Sequence, residues 1–277
     1  MGIQDTRQQI EEYIRSQGAT LIGVAPVTRW AEYKEVEPDY RPESIWPRAK
    51  SVIVLGVPVL LPILETTPSI HYTELYETSN RLLDQLAYRL SVHLNEQGHS
   101  AIFLPRDGYG DIRVLVEKPL AAFSHVFAAK YAGLGTIGFN HTLINSRYGP
   151  RARYVSVFTS LELPGDPVQE KDLCINCRLC QKVCPTQAFT PREDRLIADM
   201  DKKACAGYHS VLRDEHRYPC GVCIKVCPVG EDRELYQSKE NRRYLKEREA
   251  LDKNSEDPEY RSWVHIRRHG SNGDRIY

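Results

Sequence analysis

All eight cysteines of the chain lie between Cys174 and Cys227, and they fall into two spaced sets. The first reads Cys174-x2-Cys177-x2-Cys180-x3-Cys184-Pro185. Two-residue gaps let successive thiolates reach successive corners of one iron-sulfur cage, while a fourth cysteine followed by proline leaves the loop and serves another cluster. The second set is Cys205, then Cys220-x2-Cys223-x3-Cys227-Pro228, its leading cysteine displaced upstream by an insert, residues 206–219. The crossover rule assigns Cys174, Cys177, Cys180 and Cys227 to one [4Fe-4S] cluster and Cys184, Cys205, Cys220 and Cys223 to the other. Two structural zinc sites are the alternative, since those also use C-x2-C pairs, but they have no use for a fourth cysteine before proline occurring twice. Two cages in one small module form an electron wire.

The elements that must carry this wire and use its electrons precede it. Residues 5–17 place Ile10, Tyr13 and Ile14 at helical spacing before Gly18. Residues 20–27 and 51–59 are short apolar, β-branched runs bounded by Pro or Gly, as buried strands are. A long helix over 70–97, a strand over 101–104, a turn over 105–110 and a helix over 120–131 follow. Next comes the loop Gly133-Leu134-Gly135-Thr136-Ile137-Gly138, then two strands, 142–145 and 152–161, joined by the basic turn 147–151. Alternating helices and strands predict a layered α/β unit. The Pro-Gly-Asp-Pro run at 164–167 marks a boundary. After Gly230 the chain turns charged, which predicts a helix and an extended surface tail. The domains expected are therefore 1–165, 166–235 and 236–277, in an α+β protein.

A two-cluster module alone is short, so residues 1–165 need a purpose. Residues 41–56 (RPESIWPRAKSVIVLG), 132–140 (AGLGTIGFN), 143–145 (LIN), 148–151 (YGPR) and both cysteine sets resemble the epoxyqueuosine reductase and reductive dehalogenase superfamily over residues 20–230. The resemblance implies a nitroreductase-like, cobalamin-binding N-terminal domain joined to a two-cluster ferredoxin-like module. The clusters would reduce the corrinoid to low-valent cobalt that acts on a small substrate. FMN is the alternative cofactor, because the same fold also holds flavin. The chain departs from the family in lacking its helical-repeat domain, which speaks against a tRNA partner. It also has Phe139 where the family carries a basic residue.

Candidate cofactor contacts are Gly133, Leu134, Gly135, Thr136, Ile137 and Gly138, where glycines let a backbone approach a flat ligand; the same glycines also suit a tight helix-to-strand connection. Arg151 and Arg153 alternate at strand period, so both guanidiniums would share one face and hold a phosphate or carboxylate, or make ordinary ion pairs. For a proton donor, the epoxyqueuosine reductase pattern reaches Asp111, given an insertion and with Val114 in place of a proline. The dehalogenase pattern, a tyrosine backed by a basic residue, leaves Tyr72, Tyr76 and Tyr109. Glu117 and His125 complete the candidates, with Arg106, Asp107 and His141 as further titratable groups; tyrosines at such positions more commonly pack, and His125 suits a satisfied core histidine. The Arg261, Arg267, Arg268 and His269 group reads as part of a solvated tail.

Composition limits the remaining classes. Lys plus Arg and Asp plus Glu both number 37 in the 277 residues, so bulk electrostatics does not drive binding to nucleic acid. The longest apolar stretch, residues 51–64, holds two prolines and falls short of the roughly 18 residues a span needs. With a polar start and clustered thiols, the expectation is a cytoplasmic protein fed by an external low-potential electron donor. It would be an iron-sulfur reductase of a small molecule or, alternatively, a non-catalytic carrier that reactivates a corrinoid protein.

Overall fold

The structure is a computed structural model that describes residues 3–269. In chain order it runs α1 (Ile3–Ser16), β1 (Leu21–Pro26), α2 (Thr28–Tyr33), a 3-10 turn (Pro38–Tyr40), α3 (Pro42–Ile45), β2 (Ser51–Pro58), α4 (Leu61–Leu64), α5 (Ile70–Glu96), β3 (Ala101–Leu104), α6 (Ile112–Glu117) and α7 (His125–Tyr131). Then come β4 (Thr136–Ile137), β5 (Leu143–Ile144), β6 (Ala152–Thr159), α8 (Leu179–Lys182), β7 (Phe189–Thr190), β8 (Asp199–Met200), α9 (Lys202–Asp214), α10 (Val222–Lys225), α11 (Asp232–Leu235), α12 (Arg243–Lys253) and α13 (Arg261–Arg268).

The main sheet has the order β1-β2-β6-β3 with every neighbour antiparallel. Strand β2 is buried from Ser51 to Val57, and apolar after Ser51, because helices cover both faces of the sheet. On one face, Leu83, Leu86, Ala87, Leu90 and Leu94 of α5 recur at three- and four-residue steps and pack with Ile10 and Ile14 of α1 against Ile53, Leu55, Val155 and Val157. On the other, Trp30, Ala128, Ala129 and Tyr131 cover Val52, Val54 and Phe158. Each such Leu, Ile, Val or Phe side chain contributes about 1.5–3 kcal/mol when fully buried. Ser69 starts α5 by accepting a hydrogen bond from Tyr72 N at 3.1 Å. That cap leaves Tyr72, Tyr76 and Asn80 on its first turns, at the end of the sheet where β2 and β3 finish and β6 begins.

Several expectations are corrected. Only residues 125–131 of the 120–131 helix are helical, because Ser124 caps at that point, accepting from Phe127 N at 3.4 Å. A short helix, α6, follows the predicted turn, started by Asp111. Residues 143–144 pair with β4 rather than with β6, since the basic turn closes on itself through reciprocal Asn145 and Gly149 backbone bonds. The charged C-terminal region is no surface tail over its described part. Tyr244, Leu251, Tyr260, Trp263 and Val264 of α12, α13 and their linker form a core with Val226, and Arg267 is fully buried. Aromatic spacing overrode the charge average there. The end of that expected tail, residues 270–277, lies outside the described residues.

Candidate redox site

The eight thiols are all free, and they gather about two spaces. Cys174, Cys177, Cys180 and Cys227 line a small cavity of about 20 Å³. Cys184, Cys205, Cys220 and Cys223 lie on the wall of a large one, about 790 Å³. The two groups draw on interleaved segments: Cys184 sits past α8 beside its sequence neighbours yet faces the second space, and Cys227 returns to the first. Burial, and then the neighbouring Cys227, Cys177 and Cys174, push the Cys180 thiol up to about 12. Burial raises Cys220 to about 12 and, with Cys184 next, Cys205 to about 11. Thiols so placed hold their protons until a metal replaces them. Among the described residues no three His, Cys, Asp or Glu side chains are arranged to hold a single metal ion.

Between the spaces, Phe139 packs with Phe189 and Ala198 against Cys174, Cys180, Cys184 and Cys223. An apolar ring there insulates the thiols from water, which explains why this position carries no basic side chain.

The large cavity opens at the end of the sheet and is closed by both halves of the chain. From the first half come Tyr72 and Tyr76 of α5, Asp107 and Tyr109 after β3, His125, and Arg153 of β6; from the second come Cys205, Ala206, Tyr208 and His209 of α9 and residues 218–221, 223 and 224. Its centre is a polar knot. Tyr76 OH donates to Asp107 Oδ2 at 3.0 Å and accepts from Arg153 at 3.3 Å, while Arg153 also binds Asp107 at 3.2 Å and Asn80 at 2.6 Å. The Arg153 guanidinium lies over the Tyr76 ring, 4.1 Å from its centroid. Tyr218 OH is 3.3 Å from Tyr76 OH and 3.2 Å from Tyr109 OH. Burial raises the phenols of Tyr72, Tyr109 and Tyr218, so these three keep their protons.

His125 lines the cavity but is satisfied: Nε2–H donates to Pro105 O and Nδ1 accepts from Ser156 Oγ, both at 2.9 Å. Burial holds it down at about 4, so it is neutral. His141 donates from Nε2 to Ala198 O at 2.7 Å.

Other candidates fall elsewhere. Asp111 is outside the cavity, held well below the usual carboxylate range by Arg113 and, more weakly, Arg213, so it keeps no proton to give. Glu117 is exposed on α6, away from the cavity. Residues 133–138 do not line it either. A Cβ at Gly135, whose φ is +155°, would lie 2.0 Å from Ile144 O, and one at Gly133 2.4 Å from Pro167 O. These glycines allow two backbones to touch, the tight connection rather than a cofactor loop; Leu134 and Ile137 pack in the core and Thr136 Oγ1 accepts from Leu173 N.

Arg151 and Arg153 do not share a task. Arg151 precedes β6, is fully buried, pairs bidentately with Asp232 at 2.6 and 2.7 Å, and donates to the carbonyls of Cys227 and Val229. It ties the first half of the chain to the last cysteine. Arg151→Met should strand the buried Asp232 and cost about 3–5 kcal/mol, read as a fall in the denaturant midpoint at constant slope.

Tyr218, His209 and Asn80 were not singled out from sequence. The signal available for Tyr218 and His209 was the insert 206–219 itself, which is strung between two cysteines of one set and must therefore lie beside it.

Residues 173–231 match the family model described as a 4Fe-4S dicluster domain. The module is therefore of the 4Fe-4S dicluster type. Among curated proteins, the chain is 25% identical over 214 residues to a tetrachloroethene reductive dehalogenase of Desulfitobacterium hafniense, covering 70% of this chain and 35% of that protein. It is 25% identical to an epoxyqueuosine reductase of Pseudomonas aeruginosa, covering 80% of this chain and 68% of that one. Among solved structures, an epoxyqueuosine reductase with an epoxyqueuosine-modified tRNA stem loop shares the fold, with a TM-score of 0.59 at 17% identity over 82% of this chain and 66% of that chain. The chain is thus similar to both epoxyqueuosine reductases and reductive dehalogenases. It spans about a third of the length of the dehalogenases it matches. Among the described residues no helix is long and apolar enough to cross a membrane.

Proposed function

We propose that the chain is a cobalamin-dependent reductase of the dehalogenase type, in which two [4Fe-4S] clusters feed a ligand held in the large cavity. One observation carries this reading: all four thiols of the second set line the same cavity as the Tyr76, Arg153 and Asp107 knot. The thiols fall into two sets of four, each lining its own space, which suits two four-cysteine clusters. A cavity of about 790 Å³ lies within the range of cofactor sites, and its aromatic lining fits a large flat ligand. Reductive dehalogenases are cobalamin enzymes, and bound cobalamin supplies a low-valent metal centre for reduction.

The protein's part is then to deliver electrons and a proton. Cys177 is exposed, so electrons from an external low-potential donor enter through the first set and leave through the second, which faces the ligand. Tyr76 holds the proton; Arg153 lies where it offsets the charge left on the phenol oxygen, and Asp107 fixes Arg153 in place. The layout supports reading residues 1–165 as a nitroreductase-like cofactor domain, 166–235 as the cluster module and 236–277 as its C-terminal support.

Anaerobic reconstitution followed by cobalamin and desalting tests the reading. Stoichiometric retention with a base-off absorbance spectrum is the expected result. Retention of FMN instead would make the protein a flavin reductase, and retention of neither would leave a carrier that serves a corrinoid protein. A tRNA stem loop is assayed beside small substrates, because the epoxyqueuosine reductase that shares the fold was solved with one.

A further inference from the structure

The C-terminal helices make contacts that a surface tail would not. Arg267 of α13 donates from Nε to Thr66 O at 2.9 Å and from NH2 to Glu65 O at 3.3 Å, and its NH1 lies 2.5 Å from Glu247 Oε1. Glu247 of α12 also accepts from Lys225 Nζ at 3.1 Å, and Lys225 sits between Cys223 and Cys227. The Lys225 ammonium rests near the rings of Tyr244 and Trp263, 5.5 and 5.4 Å from their centroids. From the other end of the same loop, Thr67 Oγ1 donates to Cys220 O, and Thr66 Oγ1 meets Ser69 Oγ, the cap of α5, at 2.6 Å. One clamp therefore reaches both the segment 220–227, which carries three of the eight thiols, and the helix that presents Tyr76.

The clamp is also charged. Buried about that segment are the cations Arg151, Lys225, Arg233 and Arg267 and the anions Asp232 and Glu247, while the also buried Arg217 pairs with Glu215. Arg233 donates to Cys227 O at 2.7 Å and to Lys225 O. Glu65 and Arg243 pair at the edge and cancel. An excess of fixed positive charge in a low-dielectric interior favours the more negative of two redox states.

We propose that α12 and α13 are part of the redox centre, with Arg267 and Glu247 as positioning residues that fix Lys225 and set the reduction potential of the clusters. The inference rests on the cysteine sets holding iron-sulfur clusters, and it concerns how readily those clusters accept an electron.

The test uses the full chain, reconstituted anaerobically, with midpoint potentials read by EPR-monitored titration and iron determined in parallel. Arg267→Met should shift the reduced-to-oxidised ratio about tenfold toward the oxidised form at fixed potential, which is 59 mV for one electron, with iron content retained. Arg267→Lys should keep the parent potential. Glu247→Gln, which removes an anion at nearly constant shape, should move the ratio in the opposite direction. Opposite shifts support the proposal. Unmoved midpoints in both variants, or shifts of the same sign, overturn it and leave α12 and α13 as packing alone. Where Arg267→Met loads poorly, the sign of the Glu247→Gln shift decides. Absence of cluster signals from the parent protein would instead overturn the assignment of the thiols, a separate failure.

Discussion

Cys184→Ala is expected to strip the iron held with Cys205, Cys220 and Cys223 while leaving the cluster of Cys174, Cys177, Cys180 and Cys227 in place. Iron should fall from about eight to about four atoms per chain, the content of one cubane. The reason is geometric: Cys184 lies four residues after Cys180 but on the wall of the other space, with Ala188 N donating to its sulfur at 3.4 Å. Grouping by sequence adjacency predicts the reverse, a chain that loses the first cluster and keeps the second. The two outcomes differ in EPR as well as in iron, because the surviving cluster reports either the apolar, cavity-facing environment or the surface one near exposed Cys177. Survival of the cavity-facing cluster in the variant would refute the crossover.

Tyr76→Phe should lower turnover by about 10²–10⁴-fold, the usual range for a lost general acid, with both clusters and cofactor retention unchanged. Tyr76 is bonded by both Arg153 and Asp107, and burial pushes the phenols of Tyr72, Tyr109 and Tyr218 up. Arg153→Lys should lose most of the same activity, since an ammonium cannot bond Asn80, Asp107 and the phenol in one plane. Wild-type turnover in Tyr76→Phe would move the donor role to Tyr218, the other phenol in contact with Tyr76.

What could be seen in the sequence follows from how local each signal is. Spacing within residues 174–184 and 220–227 carries the cluster chemistry, because a cage takes its ligands from short loops. Strand β3 and the long helix α5 were readable from residue type and periodicity, with Gly98 after the helix. The glycines of 133–138 were ambiguous, since a cofactor and a neighbouring backbone both ask for an absent Cβ, and only the positions of Pro167 O and Ile144 O separate the two. The pairing of Arg151 with Asp232 spans 81 residues, and no local pattern announces it. The same holds for Arg267, whose partners Glu65 and Thr66 lie at the far end of the chain. Charge averaged over a window described that region as solvated, while its aromatic residues were enough to bury it.

Helix α9 carries Cys205 in its first turn and leads on to Cys220, and its inner side, with Ala206, Leu212 and Tyr218 beside it, meets Tyr76 and Ile112 from the first half of the chain. In the proposed arrangement both cysteines are ligands of the same cluster. Oxygen that dismantles the second cluster would therefore do more than cut the electron supply: it would unmoor one wall of the chamber and evict whatever the chamber holds. Loss of the metal and loss of the bound ligand would then proceed with a single time constant, and an air-damaged protein would have to be refilled in order, iron before ligand.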